Sequence, residues 1–284
     1  MTTGTACTAQ MPLVSHWEAT PERVLLLVCP CRSGSTILLR AFGHAGLPAY
    51  FQPIKNACRW RYEGQEHPWS PPVCSKDHAI FMKETFGPFH LEETTYDPLS
   101  ELLATNLSAD RIALVVLLRD PAAVWASWRY YWAQRTSYEV FAQAWAACQR
   151  SVQRASMARV PAYALSYDDL CRNPAFELSA LFAAIGREFP SDALKGWDRK
   201  PGFGAAGSGV MLPNEPQAFL TPKAHEPVIR ATGIRPMKPA GVITLQERER
   251  LSALGVFERY DALSTALPKV AECLKHPLGE KGDE

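Results

Sequence analysis

Apolar runs separated by segments of helical periodicity occupy the first two thirds of the chain. Residues 24–28 form a continuous leucine and valine run, the pattern of a strand buried on both faces. Similar runs occur at 79–82, 112–118 and 162–166. Because strands that alternate with helices favour parallel pairing, we expect an α/β fold with a central parallel sheet flanked by helices.

Apolar spacing and helix-start residues predict five main helices. They run over 37–42, from Pro121 to about Trp132, over 138–157, over 176–185 and over 244–253. The stretch 195–239 is rich in glycine and proline and has little periodicity. Loops of this length inside compact proteins are commonly functional, so we expect a C-terminal loop or lid over a substrate or cofactor site.

Composition supports one globular domain. The chain has 284 residues, of which 47 % are hydrophobic and 21 % are charged, with a net charge of +1. We expect a single domain over 1–284, with frayed ends at 1–20 and 277–284. A nearly neutral chain has no overall positive electrostatic potential that would attract polyanions, so we expect no nucleic-acid partner. Anion binding would need a local site.

The eight cysteines contain no Cys-x-x-Cys pair, and no histidine lies at zinc-ligand spacing from a cysteine pair. We therefore expect no metal site. The longest apolar run near the N-terminus is too short to cross a bilayer, and no charged segment precedes it. These features predict a cytoplasmic protein with reduced thiols and no membrane partner.

The segment between the first strand and the first helix carries anion-binding chemistry. It consists of Cys31, Arg32, Ser33, Gly34, Ser35 and Thr36. Backbone N–H groups of such a loop and the N-terminus of the following helix attract anions, and Arg32 adds a full charge. The Lys of the ATP-binding G-x-x-x-x-G-K-[ST] loop is missing, which favours a metal-free anion site. On its own the segment fits equally well a turn that caps a structural helix.

A second candidate anion site follows the third strand. Arg119 ends that strand, and Ser127 lies about two helical turns further on. Ligands of open α/β sheets bind at the carboxyl ends of the strands. Two such sites on one sheet predict a ligand with two phosphate-type groups.

Three segments in this order resemble the motifs of the PAPS-dependent sulfotransferases. Residues 31–36 are similar to that family's 5′-phosphosulfate loop, and Arg119 with Ser127 is similar to its 3′-phosphate motif. The sequence LSYDDL at 165–170 is similar to its Tyr-Glu-Asp-Leu segment, so Tyr167 corresponds to the tyrosine near the adenine. The likeness covers about residues 24–186.

The resemblance implies a P-loop-like core that binds 3′-phosphoadenosine 5′-phosphosulfate (PAPS) without a metal and releases 3′,5′-adenosine bisphosphate (PAP). Arg32 and residues 33–36 would hold the 5′ end, and Arg119 and Ser127 the 3′-phosphate. Members of the family often close a late basic segment over the nucleotide, which makes Arg199 and Lys200 further candidate phosphate contacts.

Catalysis requires a group that takes the acceptor proton. The resemblance implies that Lys83, at the end of the second strand, approaches the leaving group. Where relatives carry a histidine two residues later this chain has Thr85, and where others carry an early glutamate it has Gln52. We therefore expect Arg32, Lys83 and Glu84 to act in catalysis, with Glu84 as the base. The remaining candidates for the base are His78, His90, Glu92 and Glu93.

Two clusters of aromatic residues indicate the chemical class of the acceptor. Aromatic residues cluster at 60–69 and 125–138, and the region of the first cluster has only three basic residues, Lys55, Arg59 and Arg61. This favours a small hydrophobic or aromatic hydroxyl compound over an anionic polymer. A homodimer stays open. Two other functions also stay open, a small-molecule kinase with a degenerate phosphate loop and a non-catalytic adenosine bisphosphate-binding module.

Overall fold

Six parallel strands form one central sheet. The computed structural model of the chain describes residues 11–72, 78–220, 222–237 and 241–274. In chain order the strands are β1 (Arg23–Pro30), β2 (Ala49–Phe51), β3 (Ala79–Phe86), β4 (Ile112–Leu118), β5 (Ala162–Ser166) and β6 (Val210–Met211). They pair in the order β5-β4-β1-β3-β2-β6, and each pairing is parallel. The expected α/β fold with a central parallel sheet flanked by helices is confirmed.

Helices connect these strands and continue after the last of them. They are α1 (Ser35–His44), α2 (Pro53–Tyr62), α3 (Glu92–Thr95), α4 (Pro98–Leu103), α5 (Pro121–Trp132), α6 (Tyr138–Ala158), α7 (Tyr167–Arg172), α8 (Pro174–Ala183), α9 (Pro222–Ile229), α10 (Leu245–Ala253) and α11 (Val256–Ala266). Asp120 begins α5, because its carboxylate accepts from the Ala122 N–H. Thr244 and Glu247 form a capping box at the start of α10.

Strand β1 lies at the centre of two apolar layers. Alternate side chains of a strand point to opposite faces of the sheet. Leu26 packs on one face with Trp128 of α5 and Phe141 of α6. Leu27 packs on the other face with α1 and α8. Since both faces are covered, β1 has the continuous apolar sequence that predicted a doubly buried strand.

Several parts of the fold depart from the sequence-based expectation, and α3, α4 and α11 are among the helices that it did not include. Strands β2 and β6 have three and two residues, too few to show a period. Helix α2 was also not predicted, and its seven buried residues include the charged Lys55 and Arg59. The stretch 195–239, expected as a loop, contains β6 and α9.

The N-terminal segment is packed rather than frayed from residue 11 onward. Leu13, Val14 and Trp17 are buried in the core, and the Trp17 ring meets Trp69 edge to face. Apolar burial of these side chains outweighs the usual fraying of a terminus. The remaining parts of that expectation, 1–10 and 277–284, lie outside the described residues. No helix within the described ranges combines the length and apolar character needed to cross a membrane.

Candidate active site

A cavity of about 290 Å³ lies where β1, β3 and β4 end. The residues that line it come from the loop after β1, from these strand ends and the residues that follow them, from α1, α2, α5 and α7, and from the segment 215–237. Its six basic side chains are those of Arg32, Arg59, Lys83, Arg119, Arg230 and Arg235. Among the described lining residues, Glu215 is the one carboxylate. A chain of net charge +1 therefore concentrates positive charge at one place, as an anion site requires.

The loop after β1 approaches its neighbours too closely for ordinary side chains. Gly34 has φ +102°, and a Cβ there would lie 2.5 Å from the Tyr167 ring. Only glycine meets both requirements without strain. Ser35 then starts α1, and Ser35 and Thr36 line the cavity. The N-terminus of α1, where partial positive charge accumulates, thus faces the cavity as the sequence predicts.

The side chain of Arg32 is held across the cavity wall. Its Nε donates to the Ser127 hydroxyl at 3.0 Å, and its guanidinium lies 4.3 Å from the centre of the Tyr131 ring. Burial lowers the pKa of Arg32 from its usual value. A desolvated guanidinium beside a hydroxyl is suited to a charged, oxygen-rich ligand.

Arg119 joins the two candidate anion sites. Its Nη1 donates to the backbone carbonyl of Arg32 at 3.1 Å, and its guanidinium lies 4.3 Å from the centre of the Tyr167 ring. The Tyr167 hydroxyl in turn accepts from the Met237 N–H at 3.0 Å. The loop after β1, the end of β4 and the start of α7 therefore form one site rather than two.

Lys83 and Glu84 point to opposite sides of β3. Lys83 lines the cavity, is 3 % exposed and has its Nζ 3.8 Å from the centre of the Phe51 ring. Burial lowers the pKa of Lys83 to about 8. This ammonium is the one that the sequence selected at the end of the strand.

Glu84 caps α2 instead of facing the cavity. Its carboxylate accepts from the N–H groups of Ile54 and Lys55 at 2.9 and 3.0 Å, and from the Tyr96 hydroxyl at 3.1 Å. Burial raises the pKa of Glu84 to about 7. Because strand side chains alternate, the neighbour of a cavity-lining lysine is turned away, which corrects the expectation that Glu84 is placed to act as the base.

The other carboxylates and histidines considered for the base also lie outside the cavity wall. Glu93 is 2 % exposed and pairs with Arg59 at 2.7 Å, while the His90 ring stacks on Tyr62. His78 and Glu92 do not line the cavity. Gln52 and Thr85 do line it and are hydrogen-bonded to each other.

Ser33, Arg199 and Lys200 are not brought to the cavity. The Ser33 hydroxyl donates to the Pro30 carbonyl at 2.9 Å, within the turn itself. Lys200 donates to the carbonyls of Asp192 and Ala193, both at 3.2 Å, and Arg199 is exposed. The same segment instead contributes Arg230 and Arg235, so its basic contribution comes some thirty residues later than expected.

His225 and Glu215 complete the wall and were missed by the sequence analysis. The His225 ring meets Phe51 edge to face at 5.2 Å, and its Nδ1 is buried with no hydrogen-bond partner. Burial, with the nearby charges of Lys83 and Arg32 next, lowers the pKa of His225 to about 3. Glu215 pairs with Arg59 at 2.9 Å. Both lie in the stretch without periodicity, where only the expectation of a lid pointed to them.

The apolar part of the cavity lies beside Phe89, Pro88 and Trp132. Other aromatic residues of the second sequence cluster belong to the core, since Trp125 and Trp128 are 4 % and 0 % exposed. Within the described residues, no group of three or more His, Cys, Asp or Glu side chains could hold a metal ion. The cavity lining therefore combines basic side chains with aromatic rings.

Comparisons with known proteins give two similar solved structures. The chain is similar to the sulfotransferase domain of the Synechococcus PCC 7002 olefin synthase, with TM-score 0.44 and 14 % identity over 92 % of this chain and 100 % of that one. It is also similar to retinol dehydratase in complex with retinol and PAP, with TM-score 0.35 and 15 % identity over 61 % and 63 % of the two chains. No protein-family model and no curated protein matches the chain. Both TM-scores are below 0.5, so the function proposed below rests on the geometry of the site.

Proposed function

We propose that the protein is a sulfotransferase that uses PAPS to sulfate a hydroxyl of a small hydrophobic or aromatic acceptor. One observation carries this proposal. Arg119 donates to the Arg32 carbonyl, and the Arg32 side chain donates to Ser127, which links the two predicted anion sites. A ligand with phosphate-type groups at two ends fits such a linked pair, as the sequence resemblance implies.

The residues present fit a phosphorylated adenine nucleotide. Arg32, Ser35 and Thr36 would hold its 5′ end at the N-terminus of α1, and Arg119 with Ser127 its 3′-phosphate. Arg230 and Arg235 offer two further charges in the same cavity. Tyr167 also lines the cavity, so it would lie near the adenine, as the sequence resemblance implies.

When bound, PAPS supplies an activated sulfuryl group, and the protein supplies position and charge. Lys83 is buried, which strengthens its interaction with a developing negative charge on the leaving oxygen. Phe89 and Trp132 offer an apolar surface for the acceptor. The acceptor is thus expected to be uncharged where it contacts these rings.

A direct test is sulfation of a panel of phenols and primary alcohols by the purified chain with PAPS in EDTA, followed by mass spectrometry. The proposal predicts products heavier by one sulfuryl group, and much less product from the Arg119→Ala variant at the same subsaturating donor concentration. Phosphorylated products that require ATP and magnesium would favour the kinase. Tight PAP binding with no sulfated product from any acceptor would favour the non-catalytic module.

A further inference from the structure

We propose that His225 is the group that takes the proton of the acceptor hydroxyl, an inference that rests on the proposed sulfotransferase function. The observation behind it is a buried ring nitrogen, Nδ1, that has no hydrogen-bond partner and belongs to a residue of the cavity wall. Buried polar atoms in proteins are nearly always paired, so an unpaired one on a residue of the cavity wall points to a ligand atom that pairs with it.

His225 and Lys83 contact the same aromatic ring. The Phe51 ring lies 5.2 Å from the imidazole and 3.8 Å from the Lys83 ammonium. Lys83 is the cation assigned to the leaving oxygen. A proton acceptor and a leaving-group cation on one ring are placed for a reaction in which a hydroxyl oxygen attacks between them.

The remaining polar groups of the wall suit this role less well. Glu84 is turned to α2, and Gln52 and Thr85 have no basic atom at neutral pH. Glu215 is engaged by Arg59 at 2.9 Å, and Arg59 is also held by Glu93 at 2.7 Å. The imidazole of His225, whose Nδ1 has no hydrogen-bond partner, is available without breaking an ion pair.

The surrounding charges make the basicity of His225 depend on the donor. Lys83 of β3, Arg32 of the loop after β1, and Arg59 and Lys55 of α2 face the imidazole electrostatically. Together with the larger effect of burial, they hold its pKa at about 3 in the ligand-free protein. An anionic nucleotide offsets these positive charges, so the pKa rises when the donor is bound. His225 is therefore neutral before binding and becomes a stronger base in the complex.

The proposed reaction moves the sulfuryl group from the donor to the acceptor oxygen. His225 accepts the proton of the acceptor hydroxyl while that oxygen forms its bond to sulfur. The bond that breaks joins sulfur to the 5′-phosphate oxygen, which keeps the electron pair near Lys83. The imidazolium then loses its proton to water as the bisphosphate leaves, and the neutral state is restored.

The first experiment needs no acceptor. Protein labelled with ¹⁵N-histidine is titrated with pH by NMR, with and without PAP, and the His225 signal is assigned by its absence from His225→Gln. We expect PAP to raise the pH midpoint of this signal. His44 is the matched control, because burial also lowers its pKa, to about 4, and it does not line the cavity. A His225 signal that PAP leaves unchanged, or one that moves no more than that of His44, overturns the inference.

The second experiment separates a base from a structural residue. Transfer from PAPS is measured for phenols of graded acidity with the wild type, His225→Gln and His44→Gln. General-base catalysis is typically worth about 10²- to 10⁴-fold, so we expect His225→Gln to lose roughly that much rate with weakly acidic phenols. The loss should shrink for acidic phenols, which need less help to lose a proton. Free imidazole should restore part of the rate of His225→Ala, and His44→Gln should behave as the wild type.

Two outcomes distinguish failure of this inference from failure of the function itself. An equal loss for all phenols, no imidazole rescue, or full activity of His225→Gln overturns the role of His225 while sulfotransfer stands. No transfer by the wild type to any phenol or alcohol overturns the sulfotransferase proposal and the role of His225 with it. Glu215→Gln is measured alongside, and a rate loss in this variant with full activity of His225→Gln would overturn the role of His225 and assign the base to that carboxylate.

Discussion

Arg119 Nη1 donates to the backbone carbonyl of Arg32 at 3.1 Å, so the guanidinium at the end of β4 holds the loop after β1 in place. Arg32 has φ +72°, a conformation that ordinary residues rarely adopt. The hydrogen bond from Arg119 helps to keep that strained loop in position before a ligand arrives. One side chain thus supplies both a charge for the ligand and support for the loop.

Arg119→Ala should weaken PAP binding about 10- to 100-fold, since hydrogen bonds to charged groups are worth about 1.5–3 kcal/mol. Arg119→Lys keeps the charge but loses the planar guanidinium with its paired N–H donors. Its affinity for PAP should therefore lie between those of the wild type and Arg119→Ala. Isothermal titration calorimetry measures both. Arg154→Ala is the matched control, because Arg154 is an exposed arginine that pairs with Asp97 at 3.3 Å and does not line the cavity. Equal affinities of wild type and Arg119→Ala would contradict the assignment.

Gly34→Ala should lower both stability and PAP affinity. Its φ is +102° and the new Cβ would collide with Tyr167, so the ring has to move. Gly46→Ala is a close control, because Gly46 has φ +86° with no atom within 4 Å of the added Cβ. We expect Gly46→Ala to lose about 1 kcal/mol of unfolding free energy from backbone strain alone, with PAP affinity unchanged. Equal PAP affinity in the two variants would argue against a nucleotide beside Tyr167.

Glu84→Gln should bind PAP normally but unfold more easily at pH 8. The amide NH₂ would oppose one of the N–H donors of α2, which costs about 1–3 kcal/mol. Denaturant unfolding and PAP titration measure the two effects. A large loss of PAP affinity without loss of stability would contradict this account and indicate that Glu84 belongs to the nucleotide site.

The pH dependence of Glu84 has a definite sign. Burial raises its pKa from 4.5 to about 7, so between these values the folded protein keeps a proton that the unfolded chain has lost. Its contribution to the free energy of unfolding is therefore fully present below pH 4.5 and falls as the pH rises to about 7. The free energy of unfolding of the wild type minus that of Glu84→Gln, measured at several pH values, should show this fall. A difference that grows with pH over this window would contradict it.

Arg40→Lys should loosen α9 and the residues after it. From α1, the buried Arg40 donates to the carbonyls of Val228, Ile229 and Ala231, and also to that of Trp197 at 2.8 Å. A lysine ammonium cannot reach four carbonyls in this geometry. We expect faster amide hydrogen exchange over 228–237, with exchange in β4 unchanged. Because His225 lies on α9, we also expect kcat to fall by a larger factor than KM changes. Uniformly faster exchange throughout the sheet would indicate a general loss of stability instead.

The sequence predicted the parts of the protein that carry strong local patterns. The run before Cys31 and the one before Arg119 are long and apolar, so their strands and the charged residues at their ends could be placed in advance. Lys83, which the sequence analysis also selected, lines the cavity. Glu84 was not, because the side to which a strand-end residue points depends on the pleat and on what packs there. Here the free N–H groups of α2 attract that carboxylate.

His225 lay beyond prediction for a different reason. It is brought to the cavity by contacts between segments distant in the chain, above all those of Arg40 with the end of α9, some 190 residues away. No period in 195–239 reveals such contacts. Arg199 and Lys200 were chosen from the same stretch by composition, and the structure places Arg230 and Arg235 at the cavity instead.

The most direct test of the central claim is calorimetric titration of the purified protein with PAP in EDTA, with ATP and magnesium as the parallel titration. The linked arginines Arg32 and Arg119 predict that PAP binds without metal, at least about 10-fold more tightly than ATP with magnesium, a difference of about 1.4 kcal/mol. Binding of ATP with magnesium and none of PAP would contradict the account and favour a kinase. Binding of neither would mean that the basic cavity is not a nucleotide site.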